Sequence, residues 1–418
     1  MTPRERVLSA INHKQPDKVP FDIGSNPSSG ISAIAYSNLL HYLNKPDLHT
    51  RIYDVVQQLA QPDDEIIDLL GIDIIDVGRT FNASDSDWYP ITMANGAIGY
   101  YPKWFKPALM PTGEYVAKDA QGEVIAKMPQ GATFFDQTIY PWQDGFPSDY
   151  SGLKPAMDKV LWSAFAHSPW DHASDPGFWD TLRKNALHLR ATTDKALMIV
   201  VGCNLFEWGS FLRRMDNFLM DPYLYPAEVH GLLDALLESH MKTLEKVVAA
   251  VGDVVDIIRF GDDLGMTSGP FMPKELYQEF YKPRHKQLND YVKKHSEMKT
   301  FLHSCGSIYQ LIPDLAEAGF DILNPVQTNC TDMQPERLKK EFGRDVTFWG
   351  GGADTTTVLN KATPDEVRKH SLERLEIFSK DGGFVFNAVH NIIPDVPPEN
   401  VIAMVNAVRE FNGDTFIL

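Results

Sequence analysis

The sequence predicts an α/β fold, a (β/α)8 TIM barrel with a long insertion between strands 2 and 3. Three observations predict it. Eight short apolar runs end in Gly, Asp, Asn or His, and helical patterns lie between many of them. Most of these runs are nearly continuous, as expected of parallel strands covered on both faces. Polar residues gather where the runs stop, which in this fold is the functional rim. A single domain over residues 1–418 is expected, with the insertion at 79–195.

The chain opens on a capped helix. Thr2 is placed as N-cap, Pro3 takes the first helical position, and Glu5 closes a capping box. The charges in this stretch occupy the place of a signal peptide's apolar segment, so a leader is not expected. The eight strand candidates follow in order: Val19–Gly24, Asp73–Gly78, Ala196–Gly202, Val255–Asp263, Lys299–Gly306, Asp321–Gln327, Val346–Gly352 and Gly383–His390. Pro273–Lys293 has apolar residues at helical spacing. Thr363-Pro364-Asp365-Glu366 is a second capping box, and Pro397-Pro398-Glu399-Asn400 introduces a last helix over Val401–Phe411.

The gap between the second and third runs is far longer than a helical crossover needs. Residues 79–195 are rich in Trp, Tyr, Gly and Pro. Within them, Tyr115–Met128 reads as a hairpin turning at Asp119–Gly122, and Tyr89–Phe105 as further extended chain. A lid or side wall over the barrel mouth is expected. The alternative is a subdomain set apart from the site.

With 43% hydrophobic residues in 418, the chain has ample material for a large core. A net charge of −17 argues against a nucleic-acid-binding face. No apolar stretch reaches 18 residues, so no membrane span is expected. The three cysteines, Cys203, Cys305 and Cys330, are too few for a disulfide framework. Reduced thiols and a cytoplasmic location are expected.

The run ends carry Asp76; Cys203 and Asn204; Asp262 and Asp263; His303 and Cys305; Asn324 and Gln327; Gly350–Gly352 and Asp354; Asn387, His390 and Asn391. His303-Ser304-Cys305 is the sharpest feature. Residues i and i+2 of a strand point the same way, so imidazole and thiol share a face. Both are zinc ligands, and a catalytic zinc site takes three protein ligands and keeps one position open. His390 is the candidate third ligand; Asp262, Asp263 and Glu207 are alternatives. On spacing alone, a His and Cys pair is as well explained by core packing or hydrogen bonding.

Asp262 and Asp263 form a candidate catalytic acid–base pair, although neighbours on a strand face opposite ways and only one is expected in the pocket. The competing role is to cap or orient a nearby loop. Asn204, Glu207, Asn324, Gln327 and Asn387 are candidate substrate-binding residues. Gly350-Gly351-Gly352 lacks the strand–GxGxxG–helix context of a nucleotide site and reads as a tight turn. Cys203 reads as a buried structural thiol, Cys330 has no role, and Phe348, Trp349 and Phe386 read as core.

At these motifs the chain resembles the uroporphyrinogen decarboxylase superfamily. The resemblance runs through TPRERVLSAINHKQPDKVP, GCNLFEWGSFL, FGDDLGMTSGPFMPKELYQEFYKPRHKQL, FLHSCGSIYQLIPDLAEAGFDILNPVQ, FWGGGADTTTVLNKATPDEVRKH and FVFNAVHNIIPDVPPENV. It implies the same barrel. Decarboxylases of this group need no cofactor and carry an arginine-rich motif after the first strand that grips substrate carboxylates. Here that place reads DIGSNPSSGISAIAYSNLL, without Arg, which argues against porphyrinogen decarboxylation.

The resemblance is closer to the cobalamin-dependent methyltransferase branch, whose zinc site is an H-x-C pair and a later Cys. His303 and Cys305 match the pair, and His390 stands at the later position. The resemblance implies zinc as cofactor and a zinc-dependent methyltransferase acting between a small methylated substrate or thiol and a corrinoid. The corrinoid (cobalamin) would come from a partner protein, because the chain has no D-x-H-x-x-G signature. Barrels of this group often pair, so a homodimer is expected. The alternative activity is a metal-free decarboxylase or lyase acting on a smaller acid. A non-catalytic corrinoid- or tetrapyrrole-binding protein is the third reading.

Overall fold

In the computed structural model, which describes residues 1–417, seven parallel strands lie side by side. In chain order they are Ile74–Asp76, Ala196–Gly202, Ile257–Gly261, Lys299–His303, Ile322–Asn324, Thr347–Trp349 and Phe384–Val385. Each pairs with its sequence neighbour, so the sheet runs from Ile74–Asp76 at one edge to Phe384–Val385 at the other. The segment Val19–Gly24 joins these edges. Asp22 N–H donates to the Phe386 carbonyl (3.0 Å), Phe386 N–H to Pro20 (2.9 Å), and Asp73 N–H to Phe21 (2.9 Å).

Seven of the eight expected strands form ladders, and the first, Val19–Gly24, is reduced to a single bridge between Phe21 and Phe386. The cause is local. Pro20 has no N–H to give, and Phe21 N–H turns to the Asp73 carboxylate at 2.9 Å instead of a ladder carbonyl. The ring is closed all the same, giving the barrel.

Its interior follows the two-residue period of strands. Ile74, Met198, Ile257, Phe301, Ile322, Trp349 and Val385 form one buried cluster together with Val7 and Ile11. The last two belong to the helix Pro3–Ile11, whose Thr2–Glu5 capping box is present. This helix plugs the end of the barrel where the strands begin: Gly383 N–H donates to Ala10 (2.8 Å) and Arg4 N–H to Asp194 (2.9 Å). Each such side chain buried contributes about 1.5–3 kcal/mol. The other end is left for polar groups.

Helices cover the outside. The expected helix over Pro273–Lys293 is built as Lys274–Leu276, a widened turn at Tyr277–Tyr281, and Lys282–His295. Pro364–Phe378 starts on its Thr363–Glu366 capping box. The last helix, Pro398–Phe411, begins three residues earlier than expected, because proline suits a first-turn position. No helix among the described residues is long and apolar enough to cross a membrane.

Between Ile74–Asp76 and Ala196–Gly202 lie a hairpin, Trp88–Thr92 with Ile98–Pro102, and a small antiparallel sheet. Tyr115–Lys118 and Val124–Met128 pair at the centre of that sheet. A second buried cluster, including Ile52, Val56, Tyr101, Phe105, Ile125 and Phe135, holds these pieces to the early chain.

Candidate active site at the open end of the barrel

The cavity at the open end has a volume of about 500 Å³. Strand parity sets what faces it. Two residues on from the plugged layer, Ile257 gives way to Arg259, Phe301 to His303, Ile322 to Asn324 and Ile74 to Asp76. The hydrophobic interior thus ends in a polar tier.

His303, Cys305 and His390 come together in that tier. One ligand atom from each lies within 4.8 Å of the others. Cys305 Sγ is 3.3 Å from His303 Nε2. Metal–ligand lengths of about 2.0–2.3 Å around a tetrahedral zinc put ligand atoms roughly 3.5 Å apart. Asn324 fixes the imidazole. Its Nδ2 donates to the Trp349 carbonyl (2.9 Å), which leaves Oδ1 to accept from His303 Nδ1 at 2.7 Å. The Nε2 lone pair of His303 is therefore turned toward Cys305. This is the support that ligating histidines ordinarily have.

Burial, then the Arg259 charge, lowers the His303 imidazole to about 3. Burial, then His303, lowers His390. Both rings are neutral at pH 7, the form that ligates. Burial, followed by Asp263 and Glu207, drives the Cys305 thiol well above its usual value. A bound divalent cation would reverse that preference. The nitrogen–sulfur–nitrogen donor set, its spacing and its neutral rings fit zinc.

The two adjacent aspartates part company. Asp263 lines the cavity; its Oδ1 accepts the Cys305 N–H at 2.8 Å and stands 3.5 Å from His303 Nε2. Asp262 is fully buried on the opposite side of the chain. It accepts the N–H groups of Phe206 (3.1 Å) and Glu207 (2.9 Å) at the start of helix Phe206–Arg213, and His285 Nε2 lies 3.2 Å away. Its position is that of a helix and loop anchor, not of an acid or base in the cavity.

Of the five residues expected to touch substrate, Asn204 and Glu207 line the cavity. Burial raises the Glu207 carboxyl, with Asp263 and Asp262 adding to the shift. The other three are structural. Asn324 positions His303, Gln327 accepts the Gly306 N–H, and Asn387 donates to the Asp22 carbonyl at 3.2 Å. Gly350 sits at a close approach, where a Cβ would lie 2.1 Å from the Pro325 carbonyl oxygen.

Two residues of the site, Arg259 and Ser28, were not anticipated, and the side chains of the expected side wall were not named in advance. Arg259 reaches the cavity from mid-strand; the signal was a charge in an otherwise apolar run, in register with Ile257. Ser28, from the segment after Val19–Gly24, accepts from Arg259 Nη2 at 3.1 Å. A wall of Met157, Trp162, His167 and Trp170 comes from residues 79–195, and Trp208 and Phe211 complete it. Trp162 stacks on Phe211 with centroids 5.9 Å apart. A wall from this insertion was expected, but no local pattern could say which of its side chains reach the cavity, since that depends on how a long excursion folds back.

Residues 202–411 match the family described as uroporphyrinogen decarboxylase (URO-D). The chain belongs to this family. Curated uroporphyrinogen decarboxylases of Hydrogenovibrio crunogenus and Methylococcus capsulatus are 29% and 30% identical to it over 193 residues, 46% of this chain. The chain spans about half the length of these relatives, 50% and 51%. Among solved structures, a methyltransferase from Methanosarcina mazei superposes with a TM-score of 0.59 at 18% identity, covering 98% of this chain and 99% of that one. The likeness shows a shared fold.

The URO-D match contains every candidate ligand: His303, Cys305 and His390, with Asn324, Asp263, Glu207 and Arg259 around them. Ser28 and the wall formed by Met157, Trp162, His167 and Trp170 lie outside it. In this URO-D member the candidate ligand cluster is thus carried by the matched half, and much of the cavity's apolar wall by the rest.

Proposed function

We propose that this chain is a zinc-dependent methyltransferase, moving a methyl group between a small methylated substrate or a thiol and a corrinoid carried by a partner protein. The observation that carries the reading is the meeting of His303, Cys305 and His390 within 4.8 Å. Three protein ligands with room for a fourth are the pattern of a catalytic site. Zinc held there would supply a Lewis acid able to lower the pKa of a thiol or polarise an ether oxygen. Two imidazoles and one thiolate donate less charge than one imidazole and two thiolates, which favours stronger Lewis acidity.

The chain's own groups take the remaining roles. Asn324 holds the His303 tautomer. Asp263, beside His303 and Cys305, is placed to take the proton of an incoming thiol. Asn204 and Glu207 orient the substrate. Residues 79–195 serve as a side wall: Trp162 and Trp170 exclude water from the cavity, which strengthens each polar interaction inside it. The corrinoid partner would approach over the open end.

The deciding experiment is metal analysis of the purified full-length chain. We expect about one zinc per chain, the stoichiometry of one such site, and its loss in Cys305→Ala. A chain that neither contains zinc nor takes it up defeats the reading.

A second reading is a metal-free decarboxylase acting on a small acid. It is supported by the names of the curated relatives and by Asp76, a buried strand-end carboxyl whose Oδ1 has no partner. Burial raises it to about 6, against the opposing influence of His167. Carbon dioxide release from candidate acids in the presence of chelator, abolished by Asp76→Asn or Asp263→Asn, would favour this reading over the first.

A further inference from the structure

Arg259 is an unpaired cation built into the cavity. It lies on strand Ile257–Gly261 and is 9% exposed. Its side chain makes one hydrogen bond among the described residues, from Nη2 to Ser28 Oγ. Nε is buried without a partner. No carboxylate lies within 4.0 Å of the guanidinium among the described residues, although Asp263 and Glu207 share the cavity. Arg259 is also the one Lys or Arg lining the cavity among the described residues. Space is kept for it by Gly261, where a Cβ would stand 3.1 Å from Arg259 Nη1 and 2.9 Å from Asn204 Nδ2.

A guanidinium taken out of water without a bonded counter-charge costs several kcal/mol. Placing one at a cavity wall makes chemical sense where an anion arrives to pair with it. The planar fork matches one carboxylate, two parallel N–H groups to two oxygens. The rest of the lining is different in character: Trp162, Trp170, Trp208 and Phe211 bring aromatic surface to the same cavity, and Trp170 is tied by its Nε1 to the carbonyl of Val200, the strand partner of Arg259. A volume of about 500 Å³ holds a small molecule and no more.

We propose that the substrate is a small monocarboxylate with an aromatic or similarly flat apolar body, its carboxylate bound by Arg259 and its body lying against the tryptophan wall. This rests on reading the cavity as the substrate pocket. It assigns the reacting end of the molecule to the side of His303, Cys305 and His390. A single cation also sets the charge the pocket accepts, and a polyanion would leave its further carboxylates without partners.

The test uses the full chain and the quenching or enhancement of its cavity tryptophans, with benzoate and the neutral isostere benzamide as probes, with and without chelator. Benzoate should bind at least about tenfold more tightly than benzamide, a difference one charge-assisted fork readily supplies. The preference should persist in chelator and disappear in Arg259→Gln, through weaker binding of benzoate. No saturable benzoate response, equal affinity for the two probes, or a preference that survives Arg259→Gln overturns the proposal. A preference that vanishes with chelator assigns carboxylate binding to metal and overturns it too. The ratio in the unmodified chain stands even if the variant does not fold. Zinc content reads the methyltransferase proposal separately, so either can fail alone.

Discussion

Asn324 and His303 are locked to each other: the Asn324 amide donates to the Trp349 carbonyl, so its oxygen at 2.7 Å dictates which imidazole nitrogen of His303 carries hydrogen. The nitrogen left bare faces the Cys305 sulfur at 3.3 Å. Asn324→Ala frees the ring to rotate or change tautomer. Zinc affinity should fall about 10- to 100-fold, as for loss of other supporting partners of ligating histidines. Competition against a chromophoric chelator measures it, and unchanged affinity would show that Asn324 does not prepare the site.

Asp262 is expected to matter for stability. It satisfies two orphan N–H groups at the start of helix Phe206–Arg213 and faces His285 at 3.2 Å. Asp262→Ala should destabilise the fold by about 3 kcal/mol, as removal of one member of a buried polar pair does. Urea unfolding reports this, while zinc bound per folded chain should stay the same. Loss of metal with full stability would instead put Asp262 at the site.

Acid should weaken the fold through His240. Burial lowers its imidazole to about 4 from 6.5, and Nε2 lies 2.8 Å from the Asn204 carbonyl oxygen. The unfolded chain takes up this proton near pH 6.5, whereas the folded chain resists until about pH 4. The stabilisation is therefore complete above pH 6.5 and is lost progressively as pH falls toward 4. Between pH 7 and pH 5 the loss should be about 2 kcal/mol from this group. His240→Gln keeps a donor for Asn204 without titrating, so its urea midpoint should change less over that range. An identical pH dependence in the variant would exclude His240 as a source.

Gly261→Ala tests the space beside Arg259. Its Cβ would crowd Arg259 Nη1 and Asn204 Nδ2, both ends of side chains able to move by a few tenths of an ångström. Stability should drop by about 1 kcal/mol, the low end of overpacking. Benzoate affinity should fall severalfold with benzamide affinity retained. Equal loss for both probes would mean that the change acts on the whole cavity.

Much of this was legible in the sequence because a strand repeats every two residues. With Ile257 seen to face inward, parity selects Arg259, Gly261 and Asp263 and turns Asp262 away, a choice the sequence alone left open. The same count from Phe301 selects His303 and Cys305. The family resemblance and the strand-end position directed attention to His390. What could not be read was contact across long sequence distances. Asn324, Gln327 and Asn387 look alike as strand-end amides, and only their neighbours reveal that they brace the frame. The first strand looked as regular as the rest, yet Pro20 and the pull of Asp73 on Phe21 leave it a bridge. Trp162 and His167 reach the cavity through a fold-back that no periodicity encodes.

The seam at that bridge bears on how the molecule assembles. Asn387 donates to Asp22 across 365 residues of chain, and the same seam carries the Phe21–Phe386 pairing. Such a contact has a large loop-closure entropy to overcome before it returns any enthalpy. The ring is therefore expected to shut late, after neighbouring βα units have docked in sequence, and the same joint is the natural place for native-state breathing to begin. The polar tier stands beside this joint, with His390 only a few residues past Phe386, so transient opening there would loosen this proposed third ligand before the His303–Cys305 pair.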